Sequence, residues 1–416
     1  MSLWGKSTSV WLDTTPSTNY ETLADELTVD VAVAGGGIAG LVAAYFLSQQ
    51  GLKVAVVETL RIVQDVTGYT LGKITSEHGQ RYGLLARTLG QEKAQVYADA
   101  NMAALERIVS IIQSNGIDCD FKRADAFLYT EFEENIPVIK AEVEQARRLG
   151  LPASYTGETP LPFARGAMRF ENQAQFHPRR YLLFLAREIV AAGGFIFEET
   201  RALDIVEDGV SKGGVDAAPG VVGESSAVAG APGKSGKGAV LKTDRGDIRA
   251  GNVVVATNTP FYRRERFAQL LTPRRRFVLG IRLDGPVPEG LHYSVDPYGG
   301  SIRNQPVGEE KLLLVSSWDD NLRPSDFQKQ FAKVESYART RLPVRSIDYH
   351  WFHQDQQTPD RVPFIGRLPE SRSVLVAAGF GGWGMTTSCA AAMILTDLIT
   401  GRDNPWAALY DPARIF

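Results

Sequence analysis

Residues 29–58, VDVAVAGGGIAGLVAAYFLSQQGLKVAVVE, leave few folds open to this chain. Val29–Ala34 is short, apolar and rich in β-branched residues, which reads as a buried strand. Gly35, Gly37 and Gly40 follow at G-x-G-x-x-G spacing. Ile38–Gln50 then carries small and apolar residues at helical spacing, and Gly51 closes it as a cap. Leu52–Val57 predicts a second buried strand ending in Glu58, 18 residues after Gly40. Each part has a mechanical task. Gly35 permits the tight turn, Gly37 lets a pyrophosphate approach the backbone, and Gly40 lets helix and strand pack closely. The helix N-terminus offers free N–H groups and the positive end of its dipole to phosphate. Glu58 can accept hydrogen bonds from ribose hydroxyls, which favours FAD or NAD over a 2′-phosphorylated dinucleotide. The alternative for an isolated glycine motif is a structural turn; here strand, helix, strand and terminal acid are all present.

Composition excludes several other functions. A chain of 416 residues buries a large core and divides into about two domains. Its net charge of -3 supplies no global field for nucleic acid or an anionic membrane. The most apolar window, Ala39–Leu47, is broken by glycine and too short to span a bilayer. The first 28 residues have no apolar signal core. Cys119 and Cys389 stand far apart, at no metal-ligand spacing, which suits a reduced, cytoplasmic protein and leads us to expect no metal site.

A flavoprotein reduced by a nicotinamide usually carries two dinucleotide fingerprints, and this chain has one. GAPGKSGKG, from Gly230, resembles a phosphate-binding loop, but Val228 stands where its first glycine should be. It lies in the Gly-, Ala- and Ser-rich stretch 208–238, which reads as a flexible surface insertion. Near the C-terminus a second strand–glycine–helix unit appears. Ser373–Ala378 is the strand, Gly379, Gly381, Gly382 and Gly384 make the turn, and Thr386–Ile399 is the helix. Its N–H groups could hold the electron-rich pyrimidine end of a flavin; a plain strand-to-helix connection is the alternative.

With these motifs the chain resembles the FAD-dependent amine and amino-acid oxidoreductases of the D-amino-acid oxidase, glycine oxidase and sarcosine oxidase type. The resemblance runs from VDVAVAGGGIAG through EETRALDI and VVVATNTP to TPDRVPFIG and AAGFGGWGM. TGYTLGKITSEHG, AQFHPRRYLLFLA and NPWAALYDPAR are similar to a bacterial branch that often carries a C-terminal Rieske domain. The sequence stops at Phe416, where that domain would begin, and has no C-x-H or C-x-x-H pair to bind such a cluster. On this reading electrons leave by another route, or the chain is a truncated form.

The resemblance implies an α/β fold. A discontinuous Rossmann-like FAD-binding domain (26–80, 165–262 and 350–416) would join an α+β substrate domain (81–164 and 263–349) with a largely antiparallel sheet. Gln91–Asn115 and Asn135–Gly150 have helical periodicity. Arg276–Leu283, His292–Ser294, Gly300–Arg303 and Lys311–Ser317 alternate like antiparallel strands that would roof the flavin. FAD contacts are then expected at Gly35, Gly37, Ile38, Ala39, Gly40 and Glu58. Further contacts fall at Thr67, Gly68, Lys73, Ile74 and Thr75, and at Ala202, Ala256 and Thr257. The C-terminal turn adds Gly379, Gly381, Gly382, Trp383, Gly384, Met385 and Thr386.

Flavin oxidation of a C–N bond asks the protein for orientation, charge and exclusion of water. Lys73 matches a basic residue that lies over the flavin in sarcosine oxidases; the alternative is a surface lysine. The two basic positions that clamp a substrate carboxylate there are Ser76 and Thr386 here. Arg303 is therefore the candidate replacement, unless the substrate lacks that carboxylate. The cysteine that attaches flavin in those enzymes corresponds to His353, so FAD is expected to be non-covalent, with a histidyl link as the minor alternative. KLLLVSS places leucines where those oxidases keep an oxygen-activating lysine, with Lys311 offset. That favours a dehydrogenase or a slow oxidase. His177, just before Pro178, suits a helix cap better than a catalyst, and Arg274, Arg275 and Arg276 suit a solvated face better than a phosphate site. Trp318, Trp351 and Trp383 suit core or pocket wall, with Trp383 nearest the chemistry.

The sequence thus points to oxidation of a small amine or amino acid, with electrons passing to oxygen or to an unidentified redox partner. Oxidation of a hydroxy acid is the alternative within enzymes, and a non-catalytic flavin-binding protein is the alternative outside them.

Overall fold

In the computed structural model, residues 5–208, 238–297, 299–318 and 326–416 are described, with Trp318 described in its backbone alone. The strands are β1 (Leu27–Ala34), β2 (Val54–Val57), β3 (Lys73–Ile74), β4 (Lys122–Thr130), β5 (Ala153–Thr156) and β6 (Gly166–Gln175). They continue as β7 (Phe195–Phe197), β8 (Ala202–Glu207), β9 (Ala239–Thr243), β10 (Asp247–Val255), β11 (Thr272–Leu283) and β12 (Leu291–Ser294). The last are β13 (Ser301–Val307), β14 (Glu310–Trp318), β15 (Val344–Gln357), β16 (Phe364–Arg367) and β17 (Val374–Ala378). The helices are α1 (Val10–Asp13), α2 (Ile38–Ser48), α3 (Arg81–Thr88), α4 (Gln91–Ser114), α5 (Ile136–Arg148) and α6 (Pro178–Ala191). Then come α7 (Arg264–Leu270), α8 (Phe327–Arg339), α9 (Gly384–Thr400) and α10 (Ala407–Tyr410).

Among the described residues these strands form two sheets. The first has the order β16-β17-β10-β1-β2-β7, with β9 and β8 added beside β10. Strands β17, β10, β1, β2 and β7 run parallel. All residues of β2 and β17 are buried, as expected of strands covered on both faces. Because β1, β2, β10 and β17 run the same way, the residues that follow them share one edge. Gly35, Glu58, Ala256 and Gly379, distant in sequence, therefore meet there. This carboxyl edge is where open α/β sheets bind ligands.

The second sheet has the order β15-β11-β14-β13-β12-β4-β6-β3, with β5 beside β6. Its pairings are antiparallel except β12 with β4. The four predicted roof strands are β11 to β14. β3, β6 and β15 all belong to this second sheet, so the expected boundaries at 80, 165 and 350 do not coincide with the division between the sheets. The choice of sheet depends on distant hydrogen-bond partners, here β4 for β6 and β11 for β15. The two layers meet at β3, where the backbone N–H of Thr75 donates to Thr386 Oγ1 on α9 and that hydroxyl donates back to the Thr75 carbonyl, each at 2.9 Å.

Of the expected insertion 208–238, residues 209–237, with the phosphate-loop lookalike up to Lys237, lie outside the described residues. Asp208 N donates to the carbonyl of Gly238, joining the two ends beyond the β8–β9 pair. No helix among the described residues is long and apolar enough to cross a membrane.

Candidate active site

A cavity of about 510 Å³ runs along the carboxyl edge of the first sheet. Gly35, Gly37, Ile38 and Ala39 line it at the start of α2, and Glu58, Thr67, Ala202, Ala256 and Thr257 line it farther along. Gly382, Gly384 and Met385 bring the start of α9 to the same space. Two distant glycine turns thus face one cavity.

Local geometry explains why these residues are needed. Gly35 has φ +114°, and a Cβ there would lie 2.5 Å from the Ala256 carbonyl oxygen. A Cβ on Gly40 would overlap the Gly35 carbonyl, so Gly40 serves the packing of α2 and does not line the cavity. Gly37 caps α2 without a side chain. A Cβ placed on Gly37 would lie 3.0 Å from Thr67 Oγ1. Thr67 Oγ1 also accepts from Ile38 N at 3.0 Å. Glu58 accepts from Gly36 N at 2.7 Å and from Leu60 N at 3.0 Å. Burial raises its carboxyl above the usual range, and those two backbone bonds partly oppose the rise. A bare helix N-terminus beside a glycine, with a fixed carboxylate farther along, fits a dinucleotide: the first for pyrophosphate, the second for ribose.

The large cavity narrows into a small space lined by Lys73, Trp383 and Thr386, together with Arg276, His353 and Gly382. Lys73 is buried at 9% exposure, which rules out the surface reading. Its Nζ donates to Ser301 Oγ and lies 5.3 Å from the Tyr293 ring centre and 5.5 Å from that of Trp383. Burial pulls the Lys73 pKa down, and Glu77 opposes that shift; burial likewise pushes Glu77 up, opposed by Lys73. The buried pair can hold one proton between its two members. Trp383 stacks on His78 with ring centres 4.5 Å apart. His78 Nε2 lies 2.8 Å from the Thr75 carbonyl, which only a donor satisfies, so Nδ1 accepts from the Tyr97 hydroxyl at 2.8 Å. Burial, then Arg81, keeps this histidine neutral by pulling its pKa well below the ordinary value.

Residues 30–398 match the family of FAD dependent oxidoreductases, DAO. The chain belongs to this family. The putative Rieske 2Fe-2S iron–sulfur protein YhfW of Bacillus subtilis is 32% identical over 408 residues, covering 97% of this chain and 75% of that protein. The glycine oxidase of Bacillus subtilis is 23% identical over 399 residues, or 90% of this chain and 94% of that enzyme. Among solved structures, glycine oxidase from Geobacillus kaustophilus superposes with a TM-score of 0.73 at 19% identity, over 94% of this chain and all of that one. The protein is an FAD-dependent oxidoreductase with the fold of that structure, and FAD is its cofactor.

Several expected site residues lie elsewhere. Arg303 is fully buried, and its guanidinium donates to the carbonyls of Leu71 (3.0 Å), Gly72 (2.6 Å), Phe176 (3.1 Å) and Asn304 (2.9 Å), and to Gln305. It lines neither the FAD cavity nor the narrow space and holds backbone together, so it is not the carboxylate clamp. Gly68 packs against the Val63 carbonyl, Ile74 is core, and Thr75 is tied to Thr386 and Gln173. Gly379, at φ +81°, packs against Thr358. Ser76 is bound to Gln173, so both former clamp positions are committed to internal hydrogen bonds. His177 caps α6 by accepting from Arg180 N. Lys311 pairs with Glu289 away from the site, and Trp351 is core.

Other lining residues escaped sequence reading. The basic run is not a solvated face: Arg276 is buried at 7% exposure and lines the narrow space. Strand alternation was the available signal, since Arg274 and Arg276 must share one face and Arg275 the other. His353 pairs across the sheet with Arg276, and burial, then Arg276, pulls its pKa down to about 3. Asp355 accepts from Gly382 N at 2.5 Å, fixing the C-terminal glycine turn from the roof sheet.

Proposed function

We propose that this protein oxidises the C–N bond of a small amine or amino acid. Bound FAD would supply the hydride acceptor. The observation that carries the reading is Lys73, a buried amine that lines the narrow space where the FAD cavity meets the roof sheet and feels the charge of the buried Glu77. An ammonium substrate must lose a proton before its C–H bond can be oxidised. Lys73, drawn toward its neutral form by burial, is placed to take that proton at Nζ, with Glu77 as its partner. Trp383 and Tyr293 flank Nζ with aromatic faces, orient the substrate and exclude water.

Anaerobic addition of amines and amino acids should bleach the flavin, while hydroxy acids of the same carbon skeleton should not. Bleaching by the hydroxy acids alone would overturn the reading. FAD is proposed to be non-covalent, so acid precipitation should release all of it into the supernatant. Leu312, Leu313 and Leu314 are core residues of the roof strand. They support an acceptor other than oxygen, and the reduced enzyme should reoxidise faster with a quinone dye than with air.

A further inference from the structure

A second cavity, of about 380 Å³, is also lined by Trp383. Arg81, Arg87, Arg274, Arg276 and Arg361 line it, and none of its described lining residues is Asp or Glu. Arg276 and Trp383 line both this cavity and the narrow space at Lys73, so the two are adjacent. We propose that this cavity receives a substrate amine carrying at least two negative groups, carboxylate or phosphoryl. The inference rests on the C–N oxidation reading and names its substrate class.

The arginines come from three separate elements: the two ends of α3, alternate positions of β11, and the loop before β16. Arg81 and Arg276 are 6% and 7% exposed, and Arg87 and Arg361 stand at the exposed rim. The Arg81 guanidinium donates to the Arg361 carbonyl, which ties the helix to the loop. Arg274 Nη1 donates to Gln357 Oε1 at 2.7 Å, and Gln357 is itself a lining residue. Three acids stand behind these walls, and each already accepts from backbone N–H groups. Glu142 takes Gly83, Glu77 takes Gly79, and Asp355 takes Gln356 and Gly382. Burial raises all three carboxyls, opposed in Glu142 by Gly83 and Arg87 and in Asp355 by Gly382, Gln356 and the arginines Arg276 and Arg274. One carboxylate has about four acceptor sites and is filled by about two forked guanidinium contacts. Five guanidiniums around one space exceed what a single carboxylate can use, and their spread from buried wall to rim suits separated anionic groups.

The test is calorimetry on the FAD-loaded enzyme with unreactive anions. Malonate, succinate and glutarate should bind at least about tenfold more tightly than acetate at low salt, and the gap should close as salt rises. Phosphonoacetate binding more tightly than malonate would assign a phosphoryl group, and the reverse order a second carboxylate. Arg87→Gln and Arg361→Gln change exposed side chains, so both variants should keep their flavin and melting temperature. Each should weaken the dianions about three- to tenfold and leave acetate nearly unchanged. Dianions binding no better than acetate, or both variants weakening acetate and succinate alike, would overturn the inference. If dianions bind but no amine bleaches the flavin, C–N oxidation fails and the anion cavity stands. If simple monocarboxylic amines bleach the flavin and dianions do not compete, the anion cavity fails and C–N oxidation stands.

Discussion

The FAD cavity and the basic cavity are built from different materials. The FAD cavity is largely backbone: glycines at the starts of α2 and α9, with Glu58 anchored to Gly36 and Leu60. The basic cavity is largely side chain: arginines gathered from a helix, a strand and a loop. A backbone site depends on where a chain can turn, so its tolerance of change is steric and steep. A side-chain site depends on summed charge, so each member contributes a graded share.

The steepest test of that contrast is Gly40. Gly40→Ala would press a Cβ into the Gly35 carbonyl, and we expect a loss of about 3 kcal/mol or more in thermal or urea unfolding, with no flavin retained. Gly37→Val separates fold from cofactor. Among the described residues outside its own chain neighbours its Cβ meets Thr67 Oγ1, a side-chain atom, so the variant should fold, yet purify without flavin because the pyrophosphate path is blocked. Full flavin absorbance per polypeptide in Gly37→Val would remove the phosphate assignment.

Smaller effects probe the ends of the FAD cavity. Glu58→Gln removes the charge from the ribose partner and should weaken FAD by about 1.5–3 kcal/mol, read as a rise in the dissociation constant by fluorescence titration. Lys73→Met keeps the stem and deletes the titrating amine at the narrow space, a cation at pH values below its pKa of about 7. The two-electron flavin potential should drop by about 30 mV, equivalent to ~1.4 kcal/mol. Because burial lowers the Lys73 pKa, its neutral fraction grows with pH below the ordinary lysine range. Flavin reduction by substrate should therefore rise with pH in the wild type and lose that dependence in Lys73→Met. An unchanged potential and pH profile would detach Lys73 from the chemistry.

The smallest effect concerns His353. Its folded pKa of about 3 lies below the unfolded value of about 6.5, so as pH falls the unfolded chain binds the proton first. Stability is then full above the unfolded pKa and declines between about 6.5 and 3, by at most ~1.4 kcal/mol per unit. His353→Gln should flatten that decline between pH 6 and pH 5 in flavin-stripped protein. An equally steep decline in the variant would show that other groups set the acid limb.

Legibility in the sequence followed the same division. The turn after β1, the turn before α9 and the terminal acid Glu58 were readable because glycine spacing and apolar runs are local signals. Arg303 misled, since a buried arginine on a roof strand satisfies carbonyls as readily as it faces a ligand, and nothing in YGGSIRNQ distinguishes the two. Arg276 was undervalued because a run of three arginines reads as solvated until β14 and β15 are known to cover its strand on both edges. Tyr293 lines the basic cavity by virtue of strand position alone.

By itself the sequence determined the parallel FAD-binding half of the molecule, the cofactor class and the family. The dinucleotide turns rest on periodicity and on glycine spacing, which act over a few residues, while the family and the choice of FAD rest on resemblance along the chain. Only the tertiary structure decided which charges face the chemistry. Lys73 is buried beside Glu77, Arg303 is committed to carbonyls, and Arg81, Arg276 and Arg361 converge on one space. Burial and convergence depend on what lies across a sheet or over a helix end, such as Ser301 for Lys73 and Arg361 for Arg81, more than two hundred residues away in the chain.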